Sequence, residues 1–130
     1  MKIYVAGSSA DMPRINAAIA SLRAAGHEIG CTWPGIVASV GDANPVNAPT
    51  SDRAGWSAQD LSEVLDADLV WFLVPPRDVP TRGAWVEAGY ALGHDMTVVF
   101  SGETKQSVFT ALGREFESDA EALEWIGRAA

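Results

Sequence analysis

Glu87 is the residue of this chain whose sequence surroundings fit a purely structural role least well. It lies within TRGAWVEAGYALGHD (81–95), where most neighbouring side chains are apolar or aromatic. A buried carboxylate without a partner is costly, so proteins normally avoid one. A carboxylate held in an apolar cleft can instead act as a nucleophile or exchange protons with a ligand. The alternative is a surface glutamate on an amphipathic helix.

A helix through this segment would give Glu87 a face of its own. At 100° per residue Glu87 shares an arc of roughly 60° with Gly83, whereas Trp85 and Ala88 lie on the opposite side. We expect the apolar side to pack on a sheet and Glu87 to point into a cleft near the amino end of the helix, where the macrodipole favours an anion. Gly83 and Gly89 leave space for another molecule to approach.

Several other polar residues are candidates for the same cleft. The segment AGSSAD (6–11) follows the first predicted strand and offers backbone N–H groups and two hydroxyls. These groups suit a phosphate or a sugar, although such loops are common in α/β domains. Asp60 is either a second carboxylate of the cleft or an acidic residue of a helix cap. Asp78, Arg77 and Arg82 precede the helix of Glu87, either as ligand-binding residues or as solvated loop charge.

The tryptophan, histidine and cysteine residues leave fewer roles open. Trp33 and Trp56 either stack on a planar ring or close the core. His27 and His94 are expected at helix ends, with a site-lining role as the alternative for His94. Cys31, the only cysteine, is expected to be buried and cannot form an internal disulfide. Because two histidines and one cysteine do not make up a ligand set, we predict no metal site and no cofactor.

The composition is that of one globular domain spanning 1–130. Hydrophobic residues make up 48% and charged residues 20%, and the net charge is −8. This balance disfavours a nucleic-acid polymer as partner but permits a small anionic ligand held by one or two arginines. The amino-terminal MKIYVAG lacks the features of a signal peptide, and no apolar run is of membrane-spanning length. We therefore expect a cytoplasmic protein with no membrane partner.

Predicted strands alternate with predicted helices along the chain. The strands are 2–6, 28–33, 68–74 and 96–100. This alternation indicates a single α/β domain with a doubly wound, flavodoxin-like or Rossmann-like parallel sheet of four to five strands flanked by helices. In such sheets ligands bind beyond the carboxyl ends of the strands, at the switch point, and the helix of Glu87 begins on that edge.

The segment 34–55 lacks any sustained period and contains three prolines and three glycines. We expect a long irregular connection here, which in a small domain is usually a functional lid or a mobile loop. Ser57 and Asp60 resemble a capping box that begins the following helix, and Ser118 and Glu121 have the same spacing before the last helix.

Most of the chain resembles the nucleoside 2-deoxyribosyltransferase superfamily, which includes 2′-deoxynucleoside 5′-phosphate N-hydrolases and nucleotide N-glycosidases. The segment RGAWVEAGYAL (82–92) is the most specific part, because members typically show a Gly and then a Glu followed by xGYAL. The resemblance weakens between 34 and 55. It is carried by MKIYVAG, AAGHEI, DLSEVLDADLVWFLVPP, TRGAWVEAGYALGHDMTVVF and SVFTALGREFESDAEALEWI.

The resemblance implies a role for each matching residue. Glu87 would be the nucleophile that attacks C1′ of the sugar and forms a covalent glycosyl-enzyme, with retention of configuration. Asp60 matches an aspartate that helps to hold the ligand and protonates the leaving base. Positions around the sugar and its 5′ end are matched by Tyr4, Gly7, Ser8 and Ser9.

Ser107 matches a region that reaches the site in relatives, sometimes from a neighbouring subunit, and the resemblance implies a homodimer or higher homo-oligomer. The chain departs from the pattern in two places. Thr81 stands where members with transferase activity have a second aspartate, which Asp78 replaces only if the loop bends differently. GSS (7–9) replaces a Gly-Pro-aromatic motif. These hydroxyls and Arg82 favour a 5′-phosphate over a bare 5′-hydroxyl.

The function predicted from the sequence is cleavage of the N-glycosidic bond of a 2′-deoxynucleoside or its 5′-monophosphate, with transfer of the sugar to another base or to water. A nucleotide-binding sensor without efficient catalysis and a glutamate-dependent NAD glycohydrolase are the alternatives. The predicted catalytic residues are Glu87 and Asp60. The predicted substrate-binding residues are Tyr4, Gly7, Ser8, Ser9, Trp33, Asp78, Arg82, Gly83 and Ser107.

Overall fold

The computed structural model describes residues 1–41 and 45–129, and a five-stranded parallel sheet forms its centre. The strand order is β2-β1-β3-β4-β5, so the chain reverses direction across the sheet between β1 and β3. The predicted α/β doubly wound architecture is confirmed. The strands are β1 (Lys2–Gly7), β2 (Glu28–Ile29), β3 (Leu69–Val74), β4 (Thr97–Gly102) and β5 (Arg114–Phe116).

Helices cover both faces of the sheet. Short 3₁₀ turns span Ser9–Asp11, Pro45–Asn47 and Val108–Leu112. Helices α1 and α5 contact each other on one face, and α3 and α4 contact each other on the other. None of the helices in the described part of the chain is long and apolar enough to cross a membrane. The helices are α1 (Met12–Ala24), α2 (Trp33–Val40), α3 (Thr50–Asp66), α4 (Arg82–Gly93) and α5 (Asp119–Ala129).

The central strand β3 is buried along its whole length, as its continuous apolar run predicts. The apolar face of α4 packs against it and against β4. The ring of Trp85 lies 4.8 Å from that of Phe72 and 6.3 Å from that of Phe100, measured between centroids. This packing fixes the rotation of α4 about its axis and turns Glu87 away from the aromatic cluster.

The segment 33–56 differs from the prediction. Strand β2 ends at Ile29 instead of Trp33, and Trp33 begins α2, where its indole N–H donates to the Val5 carbonyl at 2.7 Å. Tertiary anchoring of Trp33 thus stabilises a helix in a stretch whose Pro and Gly content disfavours one.

The capping-box prediction at Ser57 is wrong. Helix α3 begins two turns earlier, at Thr50, and Ser57 lies in its interior. The positions from Thr50 to Gly55 are all exposed, so no apolar period marks this part of the helix. Within the predicted loop, Asp42, Ala43 and Asn44 lie outside the described residues. The second predicted cap is confirmed, because Ser118 Oγ accepts from the Glu121 N–H at 3.2 Å.

A cluster around Arg14 joins four elements at the carboxyl edge of the sheet. Arg14 donates to both carboxylate oxygens of Asp119 at 2.7 Å, to the Val74 carbonyl at 2.8 Å and to the Ser101 carbonyl at 3.2 Å. The Ser101 hydroxyl donates to Asp119 at 2.7 Å and accepts from the buried indole of Trp71 at 2.8 Å. We call Arg14, Asp119 and Ser101 the Arg14 cluster.

Within this cluster the positive charge of Arg14 is paired with the negative charge of Asp119. Although burial alone would raise it, hydrogen bonds from Arg14 and Ser101 hold the pKa of Asp119 below its ordinary value of 3.8. Gly102 borders the cluster with a φ of +104°, and a Cβ at this position would collide with the Val74 carbonyl and with the Arg14 guanidinium. The Arg14 cluster is therefore closely packed and holds α1, β3, β4 and α5 together.

Candidate active site

A cleft of about 560 Å³ opens beyond the carboxyl ends of β1 and β3, at the switch point of the sheet. Its floor is the turn after β1, one wall is the amino-terminal half of α4, and the other wall is formed by α2 and α3. This is the position at which doubly wound sheets bind ligands. The size is within the usual range for a small-molecule site.

Glu87 faces this cleft and is hydrogen-bonded to Tyr4. The side chain of Tyr4 points from β1 and is fully buried, and its hydroxyl donates to Glu87 Oε2. The contact joins residues that are 83 positions apart in the sequence. No ion pair to Glu87 is found among residues 1–41 and 45–129. The carboxylate is therefore held by a neutral donor and lacks a countercharge.

This environment disfavours the ionised form of Glu87. The pKa of Glu87 is raised to about 8, chiefly by burial; the Tyr4 hydrogen bond lowers it, and the charges of Asp60 and Glu63 contribute to the rise. The expected stabilisation by the helix macrodipole is not the main influence. Glu87 lies in the second turn of α4, which begins at Arg82, and the macrodipole acts chiefly within the first turn.

Asp60 lies in the opposite wall, on α3. Burial raises the pKa of Asp60 to about 6, and the nearby charge of Glu63 adds to the effect. Trp56, Asp60 and Glu63 share one face of α3 at spacings of four and three residues. Because Glu87 and Asp60 have different raised pKa values, the pair holds one proton over the range near neutrality.

The turn after β1 forms the floor of the cleft, and its residues mainly support the structure. Ser8 is buried, and its hydroxyl donates to the Pro80 carbonyl at 2.6 Å and accepts from the Ala10 N–H at 3.2 Å. It fastens this turn to the segment that precedes α4. A Cβ at Gly7 would meet the end of the Ile15 side chain of α1, which would have to move. Gly7, Ser8 and Ser9 all border the cleft.

The start of α4 contributes three further residues to the cleft. Arg82 and Gly83 line it, and a Cβ at Gly83 would meet only open space. Thr81 also lines it and is not among the predicted site residues. The Thr81 Oγ1 is buried with no hydrogen-bond partner in the described part of the chain. Thr81 is the N-cap of α4 but makes no capping hydrogen bond, although threonine commonly caps helices through its hydroxyl.

The two candidate tryptophans differ in position. Trp33 borders the cleft but is buried, and its indole N–H is used by the Val5 carbonyl, so it closes the core. Trp56 is half-buried in the α3 wall, together with Ile36 and Val37 of α2. The α2–α3 side of the cleft thus combines this apolar surface with polar side chains of α3, namely Arg53, Ser57, Gln59 and Asp60.

Several predicted or considered residues lie outside this cleft. Asp78 is exposed in a turn and does not line it. Ser107 lies in a separate hollow of about 330 Å³ beside Trp85, where its hydroxyl accepts from the Phe109 N–H at 3.2 Å. His94 is exposed at the far end of α4, with Nδ1 at 2.8 Å from the Tyr90 carbonyl. A role for Ser107 across a subunit interface stays a prediction.

Comparison with known proteins identifies the fold. No family model and no curated protein matches the chain. A CMP N-glycosidase from Clostridium botulinum, BcmB, has a similar structure over all of both chains, with a TM-score of 0.61 and 12% sequence identity. At this identity the likeness shows the fold alone, and that fold agrees with the one that the resemblance of the sequence implies.

Proposed function

We propose that this protein cleaves the N-glycosidic bond of a 2′-deoxynucleoside or nucleoside 5′-monophosphate, with Glu87 as the nucleophile. The observation that carries this proposal is a carboxylate without a countercharge, enclosed at the switch point and held by the Tyr4 hydroxyl. Such an environment suits a group that reacts and is costly for a group that only supports the fold. The N-glycosidase activity named for the similar structure supports the same chemistry.

The reaction proceeds in two displacements. An oxygen of ionised Glu87 attacks C1′ while the C1′–N bond breaks, and the bonding electrons leave with the base. Protonated Asp60 donates its proton to that base, giving a free base and a glycosyl ester on Glu87. In the second step water or another base attacks C1′, ionised Asp60 accepts the proton of the attacking group, and Glu87 is released as a carboxylate.

The first step starts from a Glu87–Asp60 pair that holds one proton. The two pKa values place that proton mainly on Glu87, so the reactive form, with ionised Glu87 and protonated Asp60, is the less populated of the two arrangements. Below roughly pH 6 both carboxyl groups are protonated and the nucleophile is neutral, whereas above roughly pH 8 both are ionised and no acid remains. We expect kcat/KM to follow a bell with limbs near these values. A rate that rises to a plateau at high pH would remove Asp60 from the role of acid.

The 5′ end of the substrate is assigned to the start of α4. Arg82 lines this end of the cleft, and the Thr81 hydroxyl has no hydrogen-bond partner among the residues that the structure describes. Both groups suit a phosphate oxygen. The Ser8 hydroxyl is occupied by Pro80 and Ala10 and supports the floor instead of the ligand. A 5′-monophosphate therefore fits better than a 5′-hydroxyl.

The proposal is tested by incubating the purified protein with a panel of nucleosides, 2′-deoxynucleosides and their 5′-monophosphates and measuring free base by chromatography. We expect base release by the wild type and none above background by Glu87→Ala. Glu124→Ala, which removes an exposed glutamate paired with Arg128, serves as the matched control and should retain activity. Ligand-induced thermal stabilisation without any base release over the whole panel would contradict the proposal and favour a sensor.

The fate of the sugar is a separate measurement. A second base added to the reaction yields a new nucleoside if transfer occurs, and a free sugar or sugar phosphate if water is the acceptor. Methanol as acceptor gives a glycoside whose anomeric configuration is read by nuclear magnetic resonance. Retained configuration agrees with a glycosyl-Glu87 intermediate, and inversion would exclude it.

A further inference from the structure

We infer that Gln59 reads the edge of the leaving base and selects bases that carry an exocyclic amino group. This inference rests on the proposed function and names the leaving group that the site prefers. Gln59 lines the cleft on α3, next to Asp60 and one turn after Trp56. A base seated against the α2–α3 wall therefore meets an amide beside the proposed acid.

The wall around Gln59 suits a planar ring. Trp56 supplies an aromatic surface, and Ile36, Val37 and Val46 supply apolar surface to the same part of the cleft. Base–aromatic stacking tolerates any base, because every base presents a π-face. Discrimination between bases must then come from a polar group at the ring edge, and Gln59 carries an uncharged amide at this wall.

The orientation of the Gln59 amide is set by two neighbours. Its Nε2 donates to Thr32 Oγ1 at 2.9 Å and, in a longer contact, to Glu63 Oε2 at 3.5 Å. Thr32 is itself fixed, because its N–H and its hydroxyl both donate to the Glu63 carboxylate at 3.0 and 2.8 Å. A flipped amide would place a carbonyl oxygen against Glu63 and lose both donations.

Both amide hydrogens of Gln59 are used in these hydrogen bonds, so Oε1 is the atom of the amide that can bind a ligand. Within residues 1–41 and 45–129 no group donates to Oε1. A carbonyl oxygen binds an amino group such as that of cytosine or adenine. A base with a carbonyl at the same place, such as uracil or hypoxanthine, would set two acceptors against each other and leave both unpaired.

The test uses matched substrates that differ at this exocyclic group: cytosine and uracil as their deoxynucleoside monophosphates. We expect the wild type to favour cytosine by about 10-fold in kcat/KM. This factor corresponds to one partly exposed hydrogen bond gained with cytosine and to the two unpaired acceptors that uracil would leave. Gln59→Leu should reduce this ratio to below about 2-fold. Thr32→Val, which frees the amide to rotate, should give an intermediate ratio.

Gln106→Leu is the matched control, because Gln106 lies outside the cleft and donates to the Pro75 carbonyl. This variant should keep the wild-type ratio, and thermal unfolding checks that each variant is folded. A wild-type ratio near 1, a preference for uracil, or a preference that survives Gln59→Leu would overturn the inference.

Binding to a Glu87→Gln variant separates this inference from the proposed function. Calorimetric titration of that variant with the same two nucleotides should show about 10-fold tighter binding of the cytosine compound. A binding preference that Gln59→Leu removes, combined with no base release by the wild type, would contradict the proposed function and support Gln59 as the base-reading residue. Equal binding of both nucleotides, or binding of neither, would overturn the inference even if the enzyme is active; only the absence of base release over the whole panel bears on the proposed function.

Discussion

Two carboxylates, Asp119 and Glu87, lie at the same edge of the sheet, and their surroundings shift their pKa values in opposite directions. Asp119 receives Arg14 and Ser101, and its pKa is lowered. Among the described residues Glu87 accepts a side-chain hydrogen bond from the Tyr4 hydroxyl and has no ion pair, and burial raises its pKa. Glu87 is also the more deeply buried of the two carboxylates, so the sites differ both in countercharge and in depth. A carboxylate at this edge becomes a structural joint where a guanidinium meets it and a reactive group where none does.

The comparison also separates stability from activity. In the Arg14 cluster the paired charges and hydrogen bonds support the fold, so a broken partner leaves a charge without compensation. In the cleft the enclosed carboxylate opposes folding, so its removal relieves a cost. Substitutions at the two sites should therefore move stability and turnover independently.

Replacing Glu87 is the strongest way to sharpen this contrast. Glu87→Gln keeps an acceptor for Tyr4 but removes the nucleophile, and we expect turnover to fall by about 10³-fold or more. The free energy of unfolding near pH 8 should stay the same or rise, because the desolvated charge is gone. Chemical denaturation and base-release assays on one protein batch check both. A variant that is active, or clearly less stable than the wild type, would break the comparison.

Breaking the Arg14 cluster should have the reverse outcome. Arg14→Met is expected to lower the free energy of unfolding by about 2–3 kcal/mol, a value reduced for the partial exposure of Arg14 and Asp119, at 23% and 34%. Turnover measured well below the melting temperature should be unchanged. Arg128→Met, which removes an exposed pair with Glu124, is the control and should cost no more than about 0.5 kcal/mol.

Removing the neutral donor to Glu87 tests why the cleft carboxylate ionises at all. Tyr4→Phe loses a hydrogen bond to the charged form of Glu87, so the pKa of Glu87 rises and kcat/KM should fall by about 10–100-fold. The alkaline limb of the pH profile should move to higher pH. Tyr90→Phe changes the other tyrosine of the chain and should leave the profile in place. Equal losses in both variants would argue for a packing effect.

The smallest effect is the opposite dependence of stability on pH at the two sites. The raised pKa of Glu87 means that its contribution is fully present below pH 4.5 and is lost as pH rises to about 8. The lowered pKa of Asp119 means that its contribution is present above pH 3.8 and is lost as pH falls through its folded value. Unfolding free energies of wild type, Glu87→Gln and Asp119→Asn across pH should show slopes of opposite sign. Parallel curves would contradict the assignment.

The sheet and the face of α4 could be predicted because apolar periodicity reflects burial. The unbroken apolar run of β3 and the pattern of Trp85 and Ala88 are each determined by what lies against the sheet. The same rule explains the errors. The first turns of α3 are exposed on every side and show no period, and α2 depends on a contact between Trp33 and Val5 that lies outside its own segment.

The composition of the candidate site could be predicted only in part. Glu87 stands out in its own segment because its neighbours are apolar, and a local pattern is enough to find it. Its hydrogen bond to Tyr4 joins positions 83 residues apart, and no local pattern encodes that distance. Threonine is common at the start of a helix, so Thr81 does not stand out in the sequence. Only the structure shows that its hydroxyl makes no capping hydrogen bond and has no partner among the described residues. Gln59 is likewise an ordinary surface residue until Thr32 and Glu63 are brought beside it.

The division of the cleft between separate stretches of chain has an evolutionary consequence. Glu87, the proposed nucleophile, and its donor Tyr4 come from α4 and β1, whereas the wall proposed for the leaving group comes from α2 and α3. Apart from Asp60, mutation or recombination within that second stretch leaves the reacting pair untouched. Under the proposed function, related proteins can therefore change their leaving-group specificity through substitutions in α2 and α3 while Tyr4 and Glu87 stay the same.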